Sequence, residues 1–330
     1  MDLPPPRSRL VLPLLGVAAA ASCLIGLLIG AVGMRPAAVL GALWDPSRPE
    51  AAIIHNLRLP RVLLGFAVGG SLAMAGAALQ AVVANPLAEP WLLGLSGGAA
   101  LGAVVAVVLG LPPGWSVAGC ATLGALAAIV LVYRVARVAG GRLDPRVLLL
   151  AGVVTGAFAS AVSTALLALA DPFAFRAATM WLVGGFAGAS WGGLTQFLLA
   201  AVPAWVVLAW QARGLDLLAL GDDTAATLGA DVPRVRRAAV LGTAVLTASS
   251  VAVSGVIGFV GLVVPHAMRW LVGPLHGRLL PAVFLVGGGA TVLADTAARS
   301  VLAPSELPVG VVTALVGVPV FAALLRRSAQ

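Results

Sequence analysis

The chain is 330 residues long, 61% hydrophobic and only 10% charged, with 40 glycines and a net charge of +8. A soluble chain holds about 25% charged residues, so a water-soluble globular domain is excluded. All 20 basic residues are arginine, which removes the lysine that a phosphate-binding P-loop or a Schiff base requires.

Apolar runs of about 20 residues recur along the whole chain, the signature of membrane-spanning helices. The runs are continuous rather than alternating, so helices rather than a barrel satisfy the backbone. The expected fold is all-α, a polytopic membrane protein with about ten spans. The first, 10–33, follows Arg7 and Arg9 and reads as a retained signal-anchor helix rather than a cleaved leader. Cys23 lies in it and Cys120 in the fourth span, where a structural disulfide is not expected. Arg58 and Arg61, in "LRLPR", precede the second span, 61–83. The third, 92–111, opens on "GLSGG" (94–98), and the fourth runs 115–135.

The fifth span, 147–170, carries Thr155, Ser160, Ser163 and Thr164 among small apolar residues. Gly156, Ser160 and Thr164 fall on one helical face. Arg176 follows in "ADPFAFRAATMW", and the sixth span is 191–211. Glycines at four-residue spacing (Gly65/Gly69, Gly94/Gly98/Gly102, Gly152/Gly156, Gly184/Gly188) permit close helix approach in lipid.

Between spans six and seven, residues 213–237 hold eight of the chain's 32 charges. Asp222 and Asp223 are placed to cap a short helix that Gly229 would end, and Asp216 to cap a preceding turn. Asp231, two residues before Pro233, marks the start of the next span. The segment 212–237 thus reads as two short helices, ordered enough to pass force from a soluble partner to the spans. The seventh span is 237–256. The eighth, 258–271, is short and glycine-interrupted, hence broken or re-entrant; its His266, in "VPHAMR", orders one end. The ninth, 279–302, carries Asp295 and Arg299 at pairing distance along one helix, and the tenth is 308–325.

An even span count puts both termini on one side. With that side cytoplasmic, fourteen arginines fall inside and six outside (Arg35, Arg48, Arg58, Arg61, Arg176, Arg299), which satisfies the positive-inside rule. The 212–237 loop is then cytoplasmic. The net charge lies in loops between spans and gives no reason to expect nucleic acid. His55, His266 and His276 sit apart, so no metal site is expected. No soluble domain or linker is visible, and residues 1–330 read as one transmembrane domain.

Four stretches in order, 57–99, 215–232, 255–271 ("GVIGFVGLVVPHAMRWL") and 293–321, resemble the permease subunits of ATP-binding-cassette importers for iron–siderophore complexes, haem and cobalamin. The resemblance implies a homodimer in the bacterial inner membrane, two cytoplasmic ATPase subunits and a periplasmic substrate-binding protein. It implies no cofactor on this chain; ATP and Mg sit on the partner ATPase. Asp216, Leu220, Asp222, Asp223, Leu228 and Gly229 become the ATPase-coupling loop. Arg58, Arg61 and Arg299 become docking residues for glutamates of the binding protein. Thr155, Ser160 and Thr164 fall along the translocation path. Two copies of Arg176 at the outer mouth would suit the propionates of haem, the cargo expected first, with ferric siderophore or cobalamin as alternatives.

Two other classes compete with this reading. "GLSGG" matches the G-x-S-x-G of serine hydrolases, but the strand–turn–helix context is missing and no span interior offers a histidine. A proton-coupled transporter needs buried ionisable relays, and Asp295 is its main candidate.

Overall fold

In the computed structural model, the described residues are 8–30, 33–112, 114–140, 145–303 and 305–328, with the backbone alone described for 8, 9, 92, 136–140, 145, 146 and 324–328. The terminal arginines Arg7, Arg9, Arg326 and Arg327, and with them Arg137, Arg142 and Arg146, therefore lie outside the described side chains.

The described chain is helical from end to end. α1 (Ser8–Leu28) is followed by α2 (Pro36–Trp44) and α3 (Ala51–Ile53). A π-helical turn, Ile54–Arg58, joins α3 to α4 (Leu59–Val82), so the second span begins ten residues earlier than its apolar run, as one helix from Ala51 to Val82. Then come α5 (Leu95–Val108), α6 (Trp115–Gly140), α7 (Pro145–Ala168), α8 (Pro172–Leu182) and α9 (Trp191–Trp210). The charged loop forms α10 (Ala212–Leu218) and α11 (Asp222–Thr227). Last are α12 (Val232–Ser254), α13 (Val260–Val272), α14 (His276–Ala298) and α15 (Val309–Ser328).

Seven of these helices are long and apolar enough to cross a membrane, and three shorter apolar helices, α5, α13 and α15, complete the ten expected spans. Starts are set by local chemistry. The carboxylate of Asp171 accepts from the N–H groups of Phe173 and Ala174 to cap α8, with Pro172 at the first position. Ser190 caps α9, and Asp231 accepts from Arg234 N–H to cap α12 as its position suggested.

α4 is buried along nearly its whole length and forms the axis of the subunit. Its glycines meet α14 and α13 backbone to backbone. A Cβ on Gly69 would collide with the Gly287 carbonyl, and one on Gly287 would lie 2.7 Å from the Gly69 carbonyl. An edge-to-face chain of Phe66, Phe284, Trp205 and Phe197 ties α4, α14 and α9 together, and Trp205 Nε1 donates to Ser71 Oγ at 2.8 Å. α5 lies equally close to α6, through Gly98 against Gly124.

The eighth span is short but unbroken, a single helix entered through a non-helical connector, 255–259. α12 stops at Ser254, Gly255 and Phe259 both take positive φ, and α13 has only 13 residues, about 20 Å of helix. Its first turn packs inside the bundle, with Phe259 against Gly317 of α15 and Gly261 against Gly76 of α4.

That contact gives a test with opposite signs. A Cβ on Gly76 would stand within van der Waals distance of the Gly261 carbonyl oxygen, while Gly119 of α6 has nothing within 4 Å. Gly76→Ala is expected to lower stability in detergent by about 1–3 kcal/mol. Gly119→Ala should leave it unchanged or raise it by up to about 1 kcal/mol, because alanine is the better helix former. Thermal unfolding of the two variants checks the order.

Candidate functional site

Three features sit at distinct places in the bundle. One is where α1 ends, α4 begins and α14 ends. Here α1 stops with unsatisfied carbonyls, as every helix does. Arg58 donates to two of them, Leu27 O at 2.7 Å and Leu28 O at 3.1 Å, and Arg299 donates to Gly26 O. Cations at a helix C-terminus also meet the favourable end of its dipole. Arg61 reaches the other way, as a fork. Its Nε and Nη2 donate to the Asp295 carboxylate at 2.8–3.1 Å, and Nη1 and Nη2 donate to Glu306 at 3.1 and 2.9 Å. Asp295 also pairs with Arg299 at 3.5 Å, the in-helix contact expected from their spacing. Arg58 and Arg299 are thus buried, and Arg61 is the one of the three that reaches the bundle surface, beside the partly exposed Glu306.

At the opposite end are α10 and α11. Gly221, with positive φ, precedes α11, Asp222 and Asp223 occupy its first turn, and Gly229 leaves it with positive φ. Asp222 is ion-paired with Arg236 of α12. Leu220 and Leu228 point outward, 60% and 58% exposed. Asp216 departs from its expected role. It lies inside α10, and its carboxylate accepts from His276 N–H at 2.7 Å, with His276 Nδ1 also at 2.7 Å, so it caps α14 rather than a local turn. The partner is 60 residues away in sequence, which is why spacing alone could not find it.

Between the ends, α5 and α7 approach closely. A Cβ on Gly94, itself at positive φ, would lie 2.6 Å from the Gly152 carbonyl. Beside this contact opens a cleft of about 500 Å³ lined by Ser96, Ser160, Ser163 and Thr164, with Gly97 and Gly156. Ser163 and Thr164 give their protons to the carbonyls four residues back, at 2.8 and 2.9 Å. Their oxygens therefore face the cleft as acceptors. Ser160 and Thr164 line it as their shared face implied, while Thr155 is buried outside it. Arg176 is exposed on α8 and does not line it. Neither does any histidine, which leaves Ser96 without a base.

One residue escaped the sequence reading. Glu89, in the turn after α4, accepts from Phe259 N–H at 2.6 Å and from Trp91 Nε1 at 2.8 Å. It places a carboxylate at the positive start of the short helix α13. A lone acid between two prolines of an apolar turn, "NPLAEPW", was the available signal.

The arginine cluster yields an ordering. Asp295→Ala would leave buried Arg299 without its acid, a loss of about 3–5 kcal/mol. Glu306→Ala, at a side chain one-third exposed, is expected to cost no more than about 1 kcal/mol. Unfolding of both variants under one set of detergent conditions checks this.

The FecCD transport family matches residues 18–327. The chain is 43% identical over 280 residues to the cobalamin import system permease protein BtuC of Halobacterium salinarum, covering 84% of this chain and 75% of that one. It is 41% identical to the vitamin B12 import system permease BtuC of Vibrio cholerae, covering 93% and 90%. It is 38% identical to the hemin transport system permease HmuU of Yersinia pestis, covering 87% and 88%. A solved structure described as an inward-facing conformation of a metal-chelate type ABC transporter superposes with a TM-score of 0.86 at 30% identity, covering 97% of this chain and 99% of that one. The proton-coupled alternative falls with these matches, and its one candidate relay, Asp295, is held between two arginines. The chain therefore belongs to the FecCD transport family, as a multi-pass membrane permease of an ABC importer, a kind of subunit that leaves ATP hydrolysis to separate chains.

Proposed function

We propose that this permease moves a metal chelate built on a corrin-type ring. The observation that carries this reading is the α5–α7 cleft, whose lining holds hydroxyl acceptors and no charged side chain. Amide groups on the rim of a corrinoid donate N–H to such oxygens, whereas carboxylates would meet lone pair against lone pair. The relatives named for cobalamin support it. Haem is the second reading, favoured by Arg176 on exposed α8 and by the hemin permease relative.

The working assembly follows from the same reading. Two copies of the chain face one another in a bacterial inner membrane with both termini cytoplasmic. Two ATPase subunits, carrying ATP and Mg, engage α10 and α11, where Leu220 and Leu228 offer exposed apolar contacts. A periplasmic binding protein docks at the end where Arg61 and Glu306 reach the surface. Arg58 and Arg299 act there from below, by fixing the end of α1 and holding Asp295 against Arg61.

Two experiments test these assignments in proteoliposomes holding the permease, its ATPase and its binding protein. Binding protein loaded with cobalamin is expected to stimulate ATP hydrolysis more than the same protein loaded with haem or a ferric siderophore. Arg176→Ala should leave the cobalamin response unchanged. A roughly tenfold loss confined to haem, the worth of a charge-assisted contact, would instead select the second reading.

Leu220→Arg combined with Leu228→Arg should insert and fold normally, because both side chains are exposed, yet fail to retain the ATPase on co-purification. Wild-type ATPase retention together with wild-type transport would remove the coupling role from α10 and α11.

A further inference from the structure

We propose that the groove between α6, α7 and α12, at the end of the bundle that carries α10 and α11, binds the phosphate and one acyl chain of an anionic phospholipid. The cavity measures about 390 Å³ and is walled by five aliphatic side chains, with Tyr133, Arg134, Arg236 and Arg237 at its rim. Val130 and Leu241 in that wall are more than half exposed, so the groove opens sideways from the bundle.

The rim carries an excess of positive charge. Among the described ion pairs it has one acid, Asp222, which binds Arg236. Arg134 and Arg237 are exposed guanidinium groups flanking an apolar slot, Arg237 giving only its Nε proton to the Pro233 carbonyl at 3.3 Å. A phosphodiester offers the paired oxygens that guanidinium forks prefer, and basic pockets between membrane helices take such headgroups.

The depth agrees. Arg134 stands 19 residues along α6 from the exposed Trp115, about 28 Å of helix. That is close to the thickness of a hydrocarbon core. With Trp115 at one interface, as interfacial tryptophans prefer, Arg134 lies at headgroup level on the other, and the aliphatic wall runs from there toward the bilayer centre. A soluble anion would use the arginines and leave that wall bare; a lipid covers both. The site stands apart from the cleft and does not depend on the identity of the cargo.

The test measures bound lipid rather than transport. The purified chain, in micelles holding equal phosphatidylglycerol and phosphatidylcholine, is analysed by native mass spectrometry. Wild type is expected to retain phosphatidylglycerol roughly tenfold over phosphatidylcholine. Arg134→Gln with Arg237→Gln should bring the ratio near one. Leu241→Trp, which fills the slot and keeps every charge, should also reduce it, and its normal thermal unfolding would confirm an intact fold. Arg35→Gln with Arg48→Gln, an equal charge change at the other end, should retain the preference. Inorganic phosphate at the lipid's concentration should not displace it. Full preference in the Arg134/Arg237 variant, no preference in wild type, or displacement by inorganic phosphate would each overturn the proposal.

Discussion

The backbone contact of α4 with α13 and α14 is the constraint on which the rest of the subunit depends. Lipid offers helices no hydrophobic reason to associate, so association rests on close packing and on bonds between polar groups. Glycine on both sides brings the carbonyls of Gly69, Gly287 and Gly261 within reach of the opposing helix axis. Once those axes are fixed, the polar partners fall into place. Gln80 of α4 accepts from Arg269 Nη1 at 2.5 Å and donates to the carbonyls of Ala88 and Gly261, which ties the first and last turns of α13 to α4. At the other end of α4, Arg61 meets Asp295 of α14.

Charge in this protein is mostly structural before it is anything else. A buried arginine is tolerated when donors and charge are met: Arg58 and Arg299 Nη2 donate to the carbonyls that α1 leaves open, and the charge of Arg299 faces Asp295. Glu89 does the complementary task at the N-terminus of α13. A break in a membrane helix exposes backbone groups that lipid cannot satisfy. The side chains nearest the breaks supply the missing partners.

Much of this was legible in the sequence, for identifiable reasons. Ten apolar runs became ten helices because length and hydropathy decide membrane insertion almost alone. The Asp231 cap and the stop at Gly229 were legible because capping is local. At α11, by contrast, Gly221 takes the N-cap, and Asp222 and Asp223 sit in the first turn without a side-chain cap, Asp222 being drawn to Arg236. What failed was anything set by another helix. Asp216 caps α14, and Arg61 is shared between Asp295 and Glu306. Thr155 and Ser160 read alike in sequence, yet only Ser160 lines the cleft. α8 was missed although Asp171–Pro172 is a helix-start pair, because its 11 residues are too few to register as a span. The apolar run of the second span likewise hid eight helical residues before Leu59.

α14 joins the two polar ends with a single unbroken element. Its first residue is held by Asp216 of α10, and its last turns carry Asp295 and Arg299. Twenty-three residues make a rod of about 35 Å. Pro281, just over one turn beyond His276, removes one ladder hydrogen bond and is the place along this rod where bending costs least. The two polar ends are thus joined through one helix, and any displacement of its first residue is shared with Asp216 of α10.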